Sequence, residues 1–129
     1  HHTKALVLGN GGATEAVLFV FRKLGITFNV VSRSLHQGST LTYSDLDKSI
    51  IEESSIIINT TPLGMYPEVD ACPDIPFQYI SSDHLLYDLV YNPAKPLFLK
   101  KGEESGAAIK NGEEMLILQA EESWHIWNK

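Results

Sequence analysis

The sequence of 129 residues contains a single cysteine, Cys72, which excludes an internal disulfide and suits a reducing compartment. Cys72 lies in a proline-rich stretch with no histidine nearby in sequence, so a nucleophilic role is not expected of it. Long hydrophobic runs are also missing. None approaches the roughly 20 apolar residues of a membrane helix, and no secretory pattern of charged, apolar and small residues opens the chain. Basic residues are few, 10 against 16 acidic, and the formal charge of −6 argues against a general nucleic-acid or membrane surface. The five histidines, His1, His2, His36, His84 and His125, fall without ligand spacing, so no metal site is expected. Repeats and low-complexity tracts are absent. The expectation is a cytoplasmic protein of one domain, whose 43% hydrophobic and 20% charged residues are ordinary for a soluble globular chain.

What is present is organised around Gly9-Asn10-Gly11-Gly12-Ala13, a glycine turn between the apolar run Lys4 to Leu8 and a helix-like run that follows it. A buried strand, a tight glycine turn and a helix whose first N–H groups face that turn make a pocket for phosphate, in outline a dinucleotide site. The third glycine of the usual G-x-G-x-x-G is missing, because Thr14 stands in its place. The helix is expected from about Ala13 to Leu24, with Ala13, Ala16, Val17, Val20, Phe21 and Leu24 on its inner stripe and Gly25 as its stop. Ala13 and Ala16 are then the small residues where helix and strand approach.

Thr27 to Ser32 reads as a second strand and completes a βαβ unit. Its end selects the cofactor. An NAD site puts Asp or Glu there for the ribose hydroxyls, whereas this chain has Ser32-Arg33-Ser34: Arg33 can pair with a 2′-phosphate and the serines can add hydroxyl donors. NADP is therefore the expected cofactor.

Beyond it, residues 36–42 read as a polar loop, and Ser44-Asp45-Leu46 as the opening of a short amphipathic helix carrying Leu46, Ile50 and Ile51. Ile56 to Ile58 makes a third strand leading into Asn59-Thr60-Thr61-Pro62-Leu63-Gly64-Met65, which belongs at the carboxyl end of the sheet, facing the ligand crevice. Residues 66–82 read as a long surface connection. Leu85 to Asp88 is a fourth strand, Pro96 begins a helix closed by Gly106, and Ala107 to Ile109 is a fifth strand. A last helix from Glu113 to about Trp127 is apolar on more than one face. Five strands alternating with helices give an α/β fold with a doubly wound parallel sheet.

With these residues in place the chain resembles the NADP-binding half of the shikimate dehydrogenases. The resemblance rests on five blocks in order: Gly9 to Ala13, Ser32 to Ser34, Asn59 to Met65, Asp-x-x-Tyr-x-Pro at Asp88 to Pro93, and Gly-x-x-Met-Leu-x-x-Gln at Gly112 to Gln119. It implies a Rossmann-like, three-layer α/β/α domain. It further implies pyrophosphate contacts at Gly11, Gly12 and Ala13, and 2′-phosphate contacts at Ser32, Arg33 and Ser34. Thr60, Leu89, Gly112 and Met115 would lie near the nicotinamide half, and Tyr91 and Gln119 would reach substrate.

The family reduces 3-dehydroshikimate to shikimate with NADPH, and its catalytic lysine and aspartate belong to an N-terminal domain that nothing before Lys4 supplies. The expectation is thus an inactive C-terminal fragment without a catalytic residue of its own. Lys95, Lys100 and Lys101 belong to a surface helix or the turn before it, and Asp88 to the end of a buried strand. The last helix would pack on the missing domain or, without it, mediate self-association through residues 112–129. Gln37, where a second basic residue often stands, and Glu15 depart from the family pattern and imply weaker or less selective NADP binding. The rival readings are a quinate/shikimate dehydrogenase using NAD and a non-catalytic nucleotide-binding regulatory module.

Overall fold

The computed structural model describes residues 4–34, 40–90 and 93–112. Strand β1 (Lys4–Leu8) is buried from Ala5 onward, as an apolar run without polar alternation requires of a central parallel strand. It leads through the glycine turn into helix α1 (Gly12–Leu24), which stops at Gly25 in the left-handed conformation, φ 73°, with the Gly25 N–H donating to the Arg22 carbonyl. Strand β2 (Thr27–Ser32), strand β3 (Leu41–Thr42), helix α2 (Lys48–Glu53), strand β4 (Ile56–Asn59), strand β5 (Leu85–Asp88), helix α3 (Leu97–Glu104) and strand β6 (Ala108–Asn111) follow. Among the described residues the six strands form one wholly parallel sheet in the order β3-β2-β1-β4-β5-β6.

Alternation along the strands divides the core between two faces of the sheet. Ala5, Val7, Val30, Ile56, Ile58 and Tyr87 pack with Val17, Leu18 and Phe21 of α1. Leu6, Leu8, Val31, Ile57 and Leu86 pack on the opposite side with Ile51 of α2 and Phe98 and Leu99 of α3. This is the doubly wound, Rossmann-like α/β/α arrangement. The chain runs outward from β1 to β3, then returns across the sheet to start β4 on the other side of β1. The switch point lies between the carboxyl ends of β1 and β4.

Four features differ from the sequence-based expectations. First, Leu41 and Thr42 are not loop but a sixth strand, paired with Val31 and Ser32. Thr40 prepares this edge: its N–H donates to the Val30 carbonyl (2.9 Å) and its hydroxyl accepts from the Val30 N–H (3.0 Å). Second, Ser44 does not open α2. Tyr43–Asp45 forms a separate 3-10 turn tied by Asp45 Oδ2 to the Thr42 N–H (2.8 Å), and Asp47 caps α2 by accepting from the Ile50 N–H (2.9 Å).

Third, the buried stripe of α1 is rotated from the expected one: Thr14, Val17, Leu18 and Phe21 are buried, whereas Ala13 and Ala16 are exposed. The residue at the closest approach is a threonine, for a reason found in the site itself. Fourth, residues 66–82 do more than cross the surface, because Ile75 and Ile80 enter the core and Phe77 and Tyr79 pack against it.

Candidate nucleotide-binding site

The carboxyl ends of β1 and β4 are joined directly. The Thr60 N–H donates to the Leu8 carbonyl (2.9 Å), and the Gly9 N–H donates to the Val31 carbonyl of β2 (2.8 Å). Gly9 has φ 122°, and a Cβ there would lie 2.6 Å from Thr60 Oγ1 and 3.0 Å from Thr61 Cγ2, so both conformation and space demand glycine. Gly11 and Gly12 serve a different purpose. A Cβ on either would meet nothing within 4 Å, leaving bare backbone at the N-terminus of α1 with its unpaired first N–H groups open to a ligand.

Thr14 is 1% exposed and closes the turn from beneath. The Gly11 N–H donates to Thr14 Oγ1 (3.0 Å), Thr14 Oγ1 lies 2.7 Å from Thr60 Oγ1, and Thr60 Oγ1 donates to the Leu8 carbonyl (2.7 Å). Because an N–H only donates and a carbonyl only accepts, the order of protons is fixed: Gly11 to Thr14, Thr14 to Thr60, Thr60 to Leu8. The third glycine of the dinucleotide fingerprint permits close approach. Here two hydroxyls use the same contact to bind helix, turn and both central strands together.

Beside this turn, Asn59 and Asp88 stand opposite each other in the β4–β5 register, and both are 0% exposed. Asn59 Nδ2 donates to Asp88 Oδ1 (3.1 Å), which also accepts from the Val90 N–H (2.9 Å). Asn59 Oδ1 accepts from both the Thr61 N–H (2.9 Å) and the Thr61 hydroxyl (2.6 Å), and Thr61 Oγ1 accepts from the Leu63 N–H (3.2 Å). Asp88 Oδ2 is buried and has no partner among the described residues. Burial pushes the Asp88 carboxyl up to about 7, against the pull of its hydrogen bonds from Val90 and Asn59. On the far side of β5, Gly112 packs so closely on the Leu89 carbonyl that a Cβ would overlap it.

At the other end of the crevice Ser32 is buried, while Arg33 and Ser34 are exposed. The Ser32 hydroxyl donates to the Ser34 carbonyl (2.5 Å) and so shapes the turn that projects Arg33. Arg33 forms no ion pair among the described residues. It lies near Tyr43, whose phenol is raised by burial while the Arg33 charge pulls it down.

The glycine turn thus gathers Gly9, Asn10, Gly11, Gly12 and Ala13, with Thr60 buried under it, Arg33 at the end of the adjacent strand, and Leu89 and Gly112 along the β5–β6 side. Met115, Tyr91, Gln119 and Gln37, and the last helix beyond Gly112, lie outside the described residues. Lys95 pairs with Glu103 on the surface (2.8 Å), and Lys101 lies over the Phe77 ring. Among the described residues no three His, Cys, Asp or Glu side chains converge as a metal site would need.

No family model matches the chain. Curated relatives do. A shikimate dehydrogenase (NADP(+)) of Methanococcus maripaludis is 41% identical over 135 residues, covering 95% of this chain and 48% of that protein. One from Clostridium beijerinckii is 40% identical over 131 residues, with 97% and 48% covered. Over nearly all its length the chain is similar to one half of each of these shikimate dehydrogenases.

Solved structures agree. A shikimate dehydrogenase crystallised with NADP+ superposes with a TM-score of 0.76 at 28% identity, covering 98% of this chain and 49% of that one. The chorismate mutase/shikimate 5-dehydrogenase fusion protein from Clostridium acetobutylicum gives 0.72 at 36% identity, with 98% and 47% covered. The chain spans about half the length of the curated shikimate dehydrogenases it matches.

The sequence motifs found the glycine turn, Arg33 and the Asn59 to Met65 loop. They did not find Tyr43 beside Arg33 or the linked hydroxyls of Thr14 and Thr60. A threonine at the third glycine position and another directly after β4 were the available signal.

Proposed function

We propose that this chain, residues 1–129, is the C-terminal NADP-binding domain of a longer, two-domain shikimate dehydrogenase whose N-terminal domain carries the catalytic groups. The observation that carries the reading is the open glycine turn at the switch point of the sheet, with Arg33 at the end of the neighbouring strand unpaired by any acid among the described residues. The backbone from Gly9 to Ala13 takes the pyrophosphate on the N-terminus of α1, and Arg33, with Ser34, takes the 2′-phosphate; Ser32, expected to add a hydroxyl donor, instead commits its proton to the Ser34 carbonyl and shapes the turn. Thr60, Leu89, Gly112 and Met115 border the nicotinamide half, and Tyr91 and Gln119 reach the substrate.

NADPH supplies the hydride when bound, and the chain's own residues hold and orient it. The whole enzyme reversibly reduces 3-dehydroshikimate to shikimate on the way to aromatic amino acids. The developing alkoxide needs a positioned acid, which belongs to the other domain, so this chain alone is inactive. Its location is the cytoplasm. Among the described residues no helix is long and apolar enough to cross a membrane. Residues 112–129 pack on the other domain in the whole enzyme and self-associate without it; sedimentation as a strict monomer at high concentration rules that out.

Calorimetry tests the cofactor. NADP+ is expected to bind more tightly than NAD+, and Arg33→Ala to weaken NADP+ binding by about ten- to a hundredfold while leaving NAD+ unchanged, the scale of a charge-assisted hydrogen bond. Equal affinities in the unaltered chain would favour the NAD-using quinate/shikimate dehydrogenase reading.

A further inference from the structure

The two ends of a carboxamide are nearly the same size, so packing alone does not decide which end of Asn59 faces the loop after β4 and which faces β5. Hydrogen bonds decide it. The Thr61 N–H can only donate and takes Oδ1 on the loop side, together with the Thr61 hydroxyl, while Nδ2 donates across to Asp88 Oδ1 (3.1 Å) in the register position opposite and more weakly to the Leu63 carbonyl (3.4 Å). Asp88 thus supplies the shorter of the two Nδ2 bonds and anchors the carboxamide from the β5 side. Thr61 in turn holds the Leu63 N–H and supplies the wall against Gly9, its Cγ2 3.0 Å and its N 3.4 Å from where a Gly9 Cβ would stand.

We infer that Asp88 is a positioning residue of the nucleotide crevice: by anchoring the Asn59 carboxamide it holds Thr61 and the loop of residues 59–65 against the Gly9 turn. This goes beyond a cap on β5. The carboxyl touches no part of the crevice surface, being 0% exposed, and acts two hydrogen bonds away. Its unpartnered oxygen, Oδ2, does not enter the chain of bonds, so an asparagine that keeps Oδ1 keeps the function.

The link to nucleotide affinity rests on the proposed NADP-binding role, whereas the positioning itself does not. Amide hydrogen exchange read by NMR on the ligand-free chain tests it directly. Asp88→Ala should speed exchange at Thr61 and Leu63 by about tenfold or more beyond any change at Leu6 and Ile57 of the central strands, which report global unfolding, and Asp88→Asn should restore protection. Asn59→Ala should produce the same change, and adding Asp88→Ala to it should produce no more. Should Asp88→Ala not yield a folded chain, the unaltered protein still decides: the Asn59 side-chain N–H facing Asp88 must be protected from exchange, and exchange at the solvent rate overturns the inference. Protection at Thr61 and Leu63 that falls no further than at Leu6 and Ile57 in folded Asp88→Ala, or effects of the two variants that add, also overturn it. NADP+ affinity, measured in parallel, should fall about tenfold with Asp88→Ala and recover with Asp88→Asn. If the unaltered chain binds no NADP+, the functional reading fails while the exchange data still judge Asp88.

Discussion

Asp88→Asn should reverse its effect on stability between acid and alkaline pH. In the unfolded chain this carboxyl ionises near its ordinary 3.8, and in the folded protein burial raises it to about 7. Below 3.8 both states are protonated and the group contributes nothing. Between 3.8 and 7 the folded state binds the extra proton, so stability falls as pH rises, and above 7 the loss is complete. A separation of about three pH units at about 1.4 kcal/mol per unit sets the loss at about 4 kcal/mol. Asparagine cannot ionise and keeps the Oδ1 acceptor for Asn59 and Val90, but its Nδ2 occupies the pocket of Oδ2, where two N–H groups lack acceptors at about 1–3 kcal/mol.

The variant should therefore be less stable than the unaltered chain near pH 4 and more stable near pH 8, each by about 1–3 kcal/mol. Urea unfolding of both proteins at intervals across that range gives the difference directly. Taking the difference removes groups common to both, including Asp45 and Glu53, whose carboxyls are held below their usual values by hydrogen bonds from Thr42 and from Lys4 and Ser49. Parallel stability curves, with a difference independent of pH, would refute the reasoning.

Other substitutions isolate the remaining parts of the frame. Thr14→Val keeps the volume but removes the link between Gly11 and Thr60, and should lower stability by about 1–3 kcal/mol in urea unfolding while weakening NADP+ in calorimetry. Gly9→Ala places a Cβ against Thr60 Oγ1 at φ 122°, and should cost about 1–3 kcal/mol in backbone strain alone, visible as a lower Tm. His84, at the amino end of β5, donates from Nε2 to the Ile51 carbonyl (2.8 Å) and accepts at Nδ1 from the Ser81 N–H (3.0 Å). His84→Ala should therefore cost about 1–3 kcal/mol of stability with no change in nucleotide affinity, because the crevice lies at the opposite end of the sheet.

The frame was legible in the sequence where a physical demand leaves a local mark. Four unbroken apolar residues announce a strand buried on both faces, and a glycine cluster between it and a helix announces a phosphate cradle, so β1, α1, β2, β4 and β5 were all visible with their order. Two residues leave no period to read, and β3 was hidden among hydroxyl side chains whose bonds to β2 appear only once β2 is placed. The cap of α2 was misplaced for a related reason. Ser44, Asp45 and Asp47 are all capable caps, and the choice among them depends on Asp45 being drawn back to Thr42.

The supports of the site were the least visible because they are pairings across the chain: Thr14 with Thr60 is a separation of 46 residues, and Asn59 with Asp88 one of 29. Such pairs leave no spacing rule, and each member alone reads as an ordinary polar residue. Thr14 shows the consequence. Counted against the fingerprint it is a missing glycine, whereas Ala13 and Ala16, being small, read as the residues of the close helix contact. Once Thr60 stands opposite, the side chain that departs from the pattern is the one that closes the helix onto the strand, and the alanines turn outward because the contact is already filled.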